Sequence, residues 1–306
     1  MIDGRRVFSG LVLLTFMLMA LIVLLSAHMR LSGAGLGCAD WPACYGSTLA
    51  GFAPHRSGWV VTTHRIATSI MGFTVLAIAA FAWHRRRVMP GDVMLALALL
   101  GLTAFLAVIG RWTHNVQLPA VALGNLLGGL GMMVLLWRLH LGYAPQHAPP
   151  SPLRGWLVLG LILLSAQITL GGMVSANFAA TSCASLSGCD GWLQHASLAA
   201  FNPLHVLSAA PGGTFVPGEV QQTLHMAHRF FALLVFCYLA WLGIRLFREN
   251  MRGSGMLLIA ALTLQIALGI GTVAYNLPLF LVIMHNANAA FLLLILVTLH
   301  YRLRRN

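Results

Sequence analysis

Apolar residues along this chain gather into long runs, broken by short groups of arginines and by two long polar stretches. A helix needs about 20 mainly apolar residues to cross the hydrocarbon core of a bilayer. Eight runs meet that length, at about 7–27, 59–83, 93–110, 119–139, 155–175, 223–247, 255–274 and 279–300. The first follows Arg5 and Arg6 and has the look of a secretory signal. It is long enough to span, however, and no small-residue cleavage pattern follows it, so it reads as a span.

Composition agrees. Hydrophobic residues make up 59% of the 306 positions and charged residues 8%, where a soluble domain carries roughly 25% charged. So few charges cannot cover a water-exposed surface, which excludes soluble and disordered classes. The expected fold is an all-α integral membrane protein. The formal charge is +12, and every basic residue other than histidine is arginine. Such a charge would ordinarily point to nucleic acid. Here the arginines sit between apolar runs, so the lipid bilayer is the expected partner and nucleic acid is not.

The arginines also orient the chain by the positive-inside bias. Arg5/Arg6, Arg85–Arg87, Arg138 with Arg154, Arg245/Arg248/Arg252 and Arg302/Arg304/Arg305 fall on one side. The other side holds Arg30, Arg56 and Arg111, and its long segment 176–222 has none. Both termini are expected in the cytoplasm, with 28–58 and 176–222 as the large external loops.

The chain repeats itself. Cys38 and Cys44 in the first external loop are separated by five residues, as are Cys183 and Cys189 in the second. The helix after each loop carries His-Arg, His64-Arg65 and His228-Arg229. Gln167-Ile-Thr-Leu-Gly ends the fifth span, and Gln265-Ile-Ala-Leu-Gly matches it in the seventh. Residues 140–154 are rich in Pro, Gln and His and read as a linker. The expectation is two similar four-helix bundles, 1–139 and 155–306, related by a pseudo-twofold axis along the membrane normal.

Thirteen histidines are present, and most fall at span ends or in loops. His64, His228 and His285 do not: they lie about five, five and six residues into their spans, roughly 8–9 Å below the external boundary at about 1.5 Å per residue. Polar groups at that depth are costly and usually face a bundle interior with a partner. His228 and His285 sit on parallel helices of one half, which suits axial ligation of a haem iron. Two histidines hydrogen-bonded between helices would satisfy the same pattern. His225, one turn before His228, either lines that site or bonds at a helix interface. Arg65 and Arg229 either pair with haem propionates or snorkel to headgroups. The first-half position corresponding to His285 is Asn125, a weaker iron ligand than imidazole, so His64 is the one strong candidate ligand there.

Four of the five cysteines face the oxidising side, and their spacing allows local bridges, Cys38–Cys44 and Cys183–Cys189. Structural-zinc spacing is lacking around either pair. Cys237, mid-span, reads as a buried packing residue.

The stretch Arg30-Leu-Ser-Gly-Ala-Gly-Leu-Gly-Cys38-Ala-Asp-Trp-Pro-Ala-Cys44-Tyr-Gly, followed by His64-Arg65, resembles the haem A synthase family of cytochrome oxidase assembly proteins. So do Gln167-Ile-Thr-Leu-Gly-Gly-Met-Val-Ser175, Cys183 and Cys189, His225-Met-Ala-His228-Arg229, and Pro278 with His285-Asn286. The resemblance implies an eight-helix oxidoreductase of the bacterial inner membrane that converts a ring methyl of haem O to the formyl group of haem A. It implies haem b between His228 and His285 as cofactor, haem O as substrate at His64, and His64 as the catalytic-site residue. The implied partners are an electron donor, the enzyme that supplies haem O, and a second copy of the chain. Two positions depart from the family pattern: Asn125 stands for a histidine, and Val61 for an acidic residue three positions before His64. Both fall in the first half. The alternative they leave open is a non-catalytic haem b-binding assembly factor or electron carrier of the same fold. Transport has only the multi-span pattern behind it.

Overall fold

A computed structural model describes residues 4–34, 58–87, 90–112, 117–143, 152–183, 185, 189, 192–207 and 217–303. Cys38, Cys44 and most of the linker lie outside the described residues. Among the described residues eight long helices form: α1 Gly4–Gly33, α2 Gly58–His84, α3 Pro90–Gly110, α4 Pro119–Leu141, α5 Leu153–Ala176, α6 Glu219–Arg248, α7 Arg252–Ala274 and α8 Leu279–Arg302. Two 3-10 turns, Ala179–Thr181 and Leu198–Phe201, lie between α5 and α6. All eight helices are long and apolar enough to cross a membrane. Each expected span lies within its helix, but α1, α3, α6 and α7 begin three or four residues earlier than hydropathy indicates, on polar turns that apolar counting does not register. Asp92 and Glu219 therefore stand in the first turns of α3 and α6, where a carboxylate complements the helix dipole.

Proline marks several starts, at N1 of α4 and just before α5 and α8, where its missing N–H costs nothing. Two ends close on left-handed residues. Asn250 has φ 60° with Met251 N donating to Leu246 O at 2.9 Å, and Leu277 has φ 57° and donates to Thr272 O at 2.7 Å. These six-to-one bonds cap α6 and α7 and turn the chain directly into α7 and α8.

Helices α1 to α4 pack as a closed ring, each on the next and α4 back on α1; α5 to α8 close a second ring in the same order. The rings meet through α4 on α5, α8 on α1, and α4 on α8. Exchanging the halves maps this set of contacts onto itself, as a pseudo-twofold axis requires. At the α4–α8 crossing Trp137 Nε1 donates to Thr298 Oγ1 at 2.8 Å. Glycines let backbones approach: a Cβ on Gly172 of α5 would lie 2.8 Å from Leu123 and Leu126 of α4, and one on Gly255 of α7 only 2.7 Å from the Gly243 carbonyl of α6. Close approach through small residues is how helices associate where lipid removes the hydrophobic drive.

The core runs through both rings, with Phe8, Val75, Ile78, Leu99, Leu136, Leu157, Leu242 and Leu296 buried in it. Large apolar side chains such as Phe73, Phe105, Ile162 and Phe280 point outward. In water that surface would aggregate; in a bilayer it is the lipid-facing belt. Cys237 belongs to this outer face, being exposed. This corrects the expectation of a buried packing residue: the face of α6 opposite its core residues Val235 and Leu239 is equally apolar, so sequence alone could not assign Cys237 to a side. At the arginine-rich end, the Tyr143 hydroxyl donates to Asp92, the Arg5 guanidinium lies over the Tyr143 ring, and Phe8 stacks on Phe81. Burial, and then the bond to Asp92, pushes the Tyr143 phenol above its ordinary range.

Substituting Gly255→Ala drives a methyl into the Gly243 carbonyl, so the α6–α7 contact must open. The expected cost is about 1–3 kcal/mol, read as an earlier unfolding midpoint in detergent; an unchanged midpoint would show slack at this crossing.

Candidate functional site

A cavity of about 1270 Å³ opens between the helices at the ends of the rings where α2, α4, α6 and α8 begin. It exceeds the roughly 300–1,000 Å³ of an ordinary small-molecule site. Residues of both halves line it: Val61, His64, Arg65 and Asn125 from the first, Gln167, His225, His228, Arg229, Gln265 and His285 from the second. The three in-span histidines singled out by sequence thus share one space. So do both positions that depart from the family pattern. Among the described residues, no Asp or Glu lines the cavity, whereas Arg30, Arg65, Arg111 and Arg229 do. The electrostatic bias favours a ligand carrying carboxylates.

His228 is cradled by α5. Gln167 Nε2 donates to His228 Nδ1 at 3.0 Å and to the His228 carbonyl at 3.1 Å. A Cβ on Gly171, one turn after Gln167, would sit 2.9 Å from His228 Cε1. His285 is cradled by α7 in the same manner. Gln265 Nε2 lies 3.1 Å from His285 Nε2 and 3.3 Å from Nδ1, and a Cβ on Gly269 would sit 3.2 Å from Cε1. The repeated Gln-Ile-x-Leu-Gly therefore has a physical meaning that spacing alone did not reveal. Its glutamine is the imidazole's polar partner and its glycine is the slot the ring needs. Glutamine inside an apolar span was the signal.

The cradles differ in one respect. Gln265 Oε1 accepts from Asn288 Nδ2 at 2.8 Å, and Asn288, buried on α8, also donates to the Ala261 carbonyl at 2.9 Å. Gln167 Oε1 is buried with no hydrogen-bond partner among the described residues. In the first half, Asn125 Nδ2 donates to the Val121 carbonyl of its own helix at 3.0 Å.

His225 fills both of the roles its spacing left open. It lines the cavity, and it is 5% exposed with Nδ1 3.4 Å from Ser182 Oγ. Ser182 Oγ donates to the Ala179 carbonyl at 2.7 Å and lies 3.1 Å from the Gln221 carbonyl. Arg229 reaches the same loop: Nη1 donates to the Ser185 carbonyl at 2.7 Å and Nη2 to the Cys183 carbonyl at 3.0 Å. Cys183 and Cys189 form the expected disulfide. Helix α6 thus carries a cavity histidine and, on the residues around it, the bonds that fix the disulfide loop. Arg65 lines the cavity with an exposed side chain. Across the same end, Ala120 N donates to the Pro203 carbonyl and Leu207 N to the Gln117 carbonyl, each at 2.9 Å. The segment before α6 therefore covers the start of α4 in the other half.

The sequence profile of the COX15-CtaA family, described as cytochrome oxidase assembly protein, matches residues 9–297. A protein of Shewanella oneidensis named heme A synthase is 33% identical over 96% of this chain and 96% of its own length. Heme A synthase of a Caulobacter species, strain K31, is 28% identical over 81% of this chain and 74% of its own length. That of Bacillus licheniformis is 23% identical over 92% and 91%.

With Cys38 and Cys44 both changed to Ser, the unreduced, denatured chain is expected to show one alkylatable thiol, Cys237, and three after reduction, as counted by intact mass. Three before reduction would contradict the Cys183–Cys189 bridge.

Proposed function

Because this chain belongs to the COX15-CtaA family of cytochrome oxidase assembly proteins, we propose that it is a haem A synthase, oxidising a ring methyl of haem O to the formyl group of haem A. The observation that carries this reading is the pair of imidazoles, His228 and His285, each set in a glutamine–glycine cradle and both facing one large, cation-lined cavity. The residues fit haem. Two parallel helices offer one imidazole each, glycines leave room for the imidazole rings, and the guanidinium groups that line the cavity would pair with propionates.

In this reading residues 155–306 hold haem b between His228 and His285, and residues 1–139 hold the substrate haem on His64, with 140–154 linking them. Haem b, when bound, supplies a low-spin iron able to pass single electrons. The protein supplies the rest. His64 fixes the substrate ring in the cavity, Arg65 offers its guanidinium to a carboxylate, and Arg229 holds the disulfide loop with two of its five N–H groups while three remain for ligand. The apolar walls exclude water from the reacting carbon. Turning that methyl into a formyl group removes four electrons from the carbon and adds one oxygen atom; with dioxygen as the source, each of two hydroxylations takes two electrons and two protons from outside and releases one water, and an unidentified electron donor, with the external cysteine pairs as a candidate relay, would supply them. The arginine asymmetry supports cytoplasmic termini, with the cavity at the outer side of a bacterial inner membrane.

Val61 and Asn125 sharpen the choice between synthase and haem-binding relative, since both line the cavity beside His64 and bring no carboxylate or second imidazole there. Haems extracted from a host that makes haem O, with and without this protein, separate the two on reverse-phase chromatography. Haem A or its hydroxylated intermediate is expected. Bound haem B with haem O unchanged would favour an electron carrier or assembly factor. His228→Ala and His285→Ala are each expected to abolish the low-spin b-type spectrum; its survival in both would overturn the ligand pair. Asn125→His is expected to raise low-spin haem per polypeptide by supplying the first half with a second imidazole.

A further inference from the structure

Between the disulfide loop and α6, residues 192–207 carry no Asp, Glu, Arg or Lys. Their one helical element is the short turn Leu198–Phe201, yet several of their large apolar side chains are turned away from the protein. Leu198 is 88% exposed, Leu193 73% and Leu204 71%, with Phe201 and Val206 exposed beside them. An apolar patch of this kind standing in water marks a contact with something else. The depth of the segment in the bundle decides with what.

Three contacts set that depth. Trp192 packs its ring on Phe230 of α6, with centroids 5.5 Å apart. The apolar run of α6 begins at about 223, so the Phe230 backbone lies about 10 Å inside it at about 1.5 Å per residue, and its ring leans back toward the helix start. Ala200, fully buried, belongs to one cluster with Met173 and Val174 of α5 and Leu224 of α6, all within the apolar runs of their helices. Pro203 and Leu207 are hydrogen-bonded through their backbones to Ala120 and Gln117, at the first turn of α4. The segment is thus held level with the ends of three spans rather than above them. Its polar side lies elsewhere. His195 Nδ1 is 3.4 Å from Glu219 Oε1, both side chains well exposed, on the polar first turn of α6 that precedes the apolar run.

We propose that residues 192–207 form a membrane-interfacial strip. Leu193, Leu198, Phe201, Leu204 and Val206 insert among the lipids of the leaflet at the cavity end of the bundle, continuing the belt that the helices present, while His195 stays on the water side. Trp192 has the amphipathic ring that settles at this level of a bilayer. The strip has no fixed charge to offer a headgroup, so its attraction is apolar and depends on neither salt nor anionic lipid. Because Phe230 also lines the cavity, the strip borders the cavity as well as the leaflet.

The test uses the full chain, unreduced, in phospholipid nanodiscs that hold one copy, with Cys38, Cys44 and Cys237 changed to Ser. Nitroxide labels are placed singly through Leu198→Cys, Leu204→Cys and His195→Cys. Their collisions with oxygen, which concentrates in lipid, are compared with those with a water-soluble nickel chelate. The oxygen-to-nickel ratio is expected to be several-fold higher at 198 and 204 than at 195, and to stay so in high salt and in purely zwitterionic lipid. A ratio at 198 and 204 as low as at 195 would overturn the proposal and leave the strip a water-facing surface for a soluble protein. Labels at 198 and 204 that neither reagent reaches would overturn it as well, placing these residues in a protein contact. Should a label disturb the fold, the chain carries its own probe. Lipids brominated near the headgroup are expected to quench less fluorescence in Trp192→Phe than in the parent, and equal quenching would overturn the insertion.

Discussion

A polar side chain inside an apolar bundle must find its partner within the protein, because neither lipid nor water is there to supply one. The imidazoles of His228 and His285 are the places where this constraint bears hardest, and much of the second half is arranged around it. Each ring draws a glutamine from the neighbouring helix. Each glutamine requires a glycine one turn later, so that helix and ring can close to hydrogen-bond distance. The α5–α6 and α7–α8 contacts are thereby brought to the register in which both rings face one cavity.

From the same helix the constraint extends to the loop outside. His225 and Arg229 flank His228 on α6, and both bond to the loop that the Cys183–Cys189 bridge closes, His225 through Ser182 and Arg229 through two carbonyls. That loop runs on to residues 203 and 207, which hydrogen-bond to the start of α4. The start of α6, the disulfide loop and the start of α4 in the other half are therefore linked by a continuous set of hydrogen bonds.

The two halves share a ring of four helices but not a chemistry. The second half brings two imidazoles, His228 and His285, to the cavity. The first brings His64 alone, with Val61 and an Asn125 whose amide nitrogen is turned onto its own helix. Duplicated bundles tolerate such divergence because helix packing depends on size and shape at the interfaces, which Val and Asn satisfy, whereas ligation depends on the identity of one atom. In the proposed reading this is the division between a resident cofactor and a transient substrate, for which an incompletely ligated site is the more suitable.

Sequence alone carried the membrane class, the eight spans, the repeat, the Cys183–Cys189 pair and the three in-span histidines, because each is written in local composition or spacing. A span needs only apolar length, and a local disulfide only two cysteines close along the chain. It also brought out Gln167, Gln265 and their glycines, as a pattern without a meaning. What tertiary structure decided was which groups meet. That Gln167 serves His228, that Asn288 holds Gln265 while no described residue holds Gln167 Oε1, that Arg229 grips the disulfide loop, and that Cys237 faces outward all depend on how helices rotate against one another. An apolar helix in lipid carries little amphipathic signal to fix that rotation. It is set by the close approach of glycines and the pairing of buried polar atoms across helices, and neither is visible until the bundle is closed.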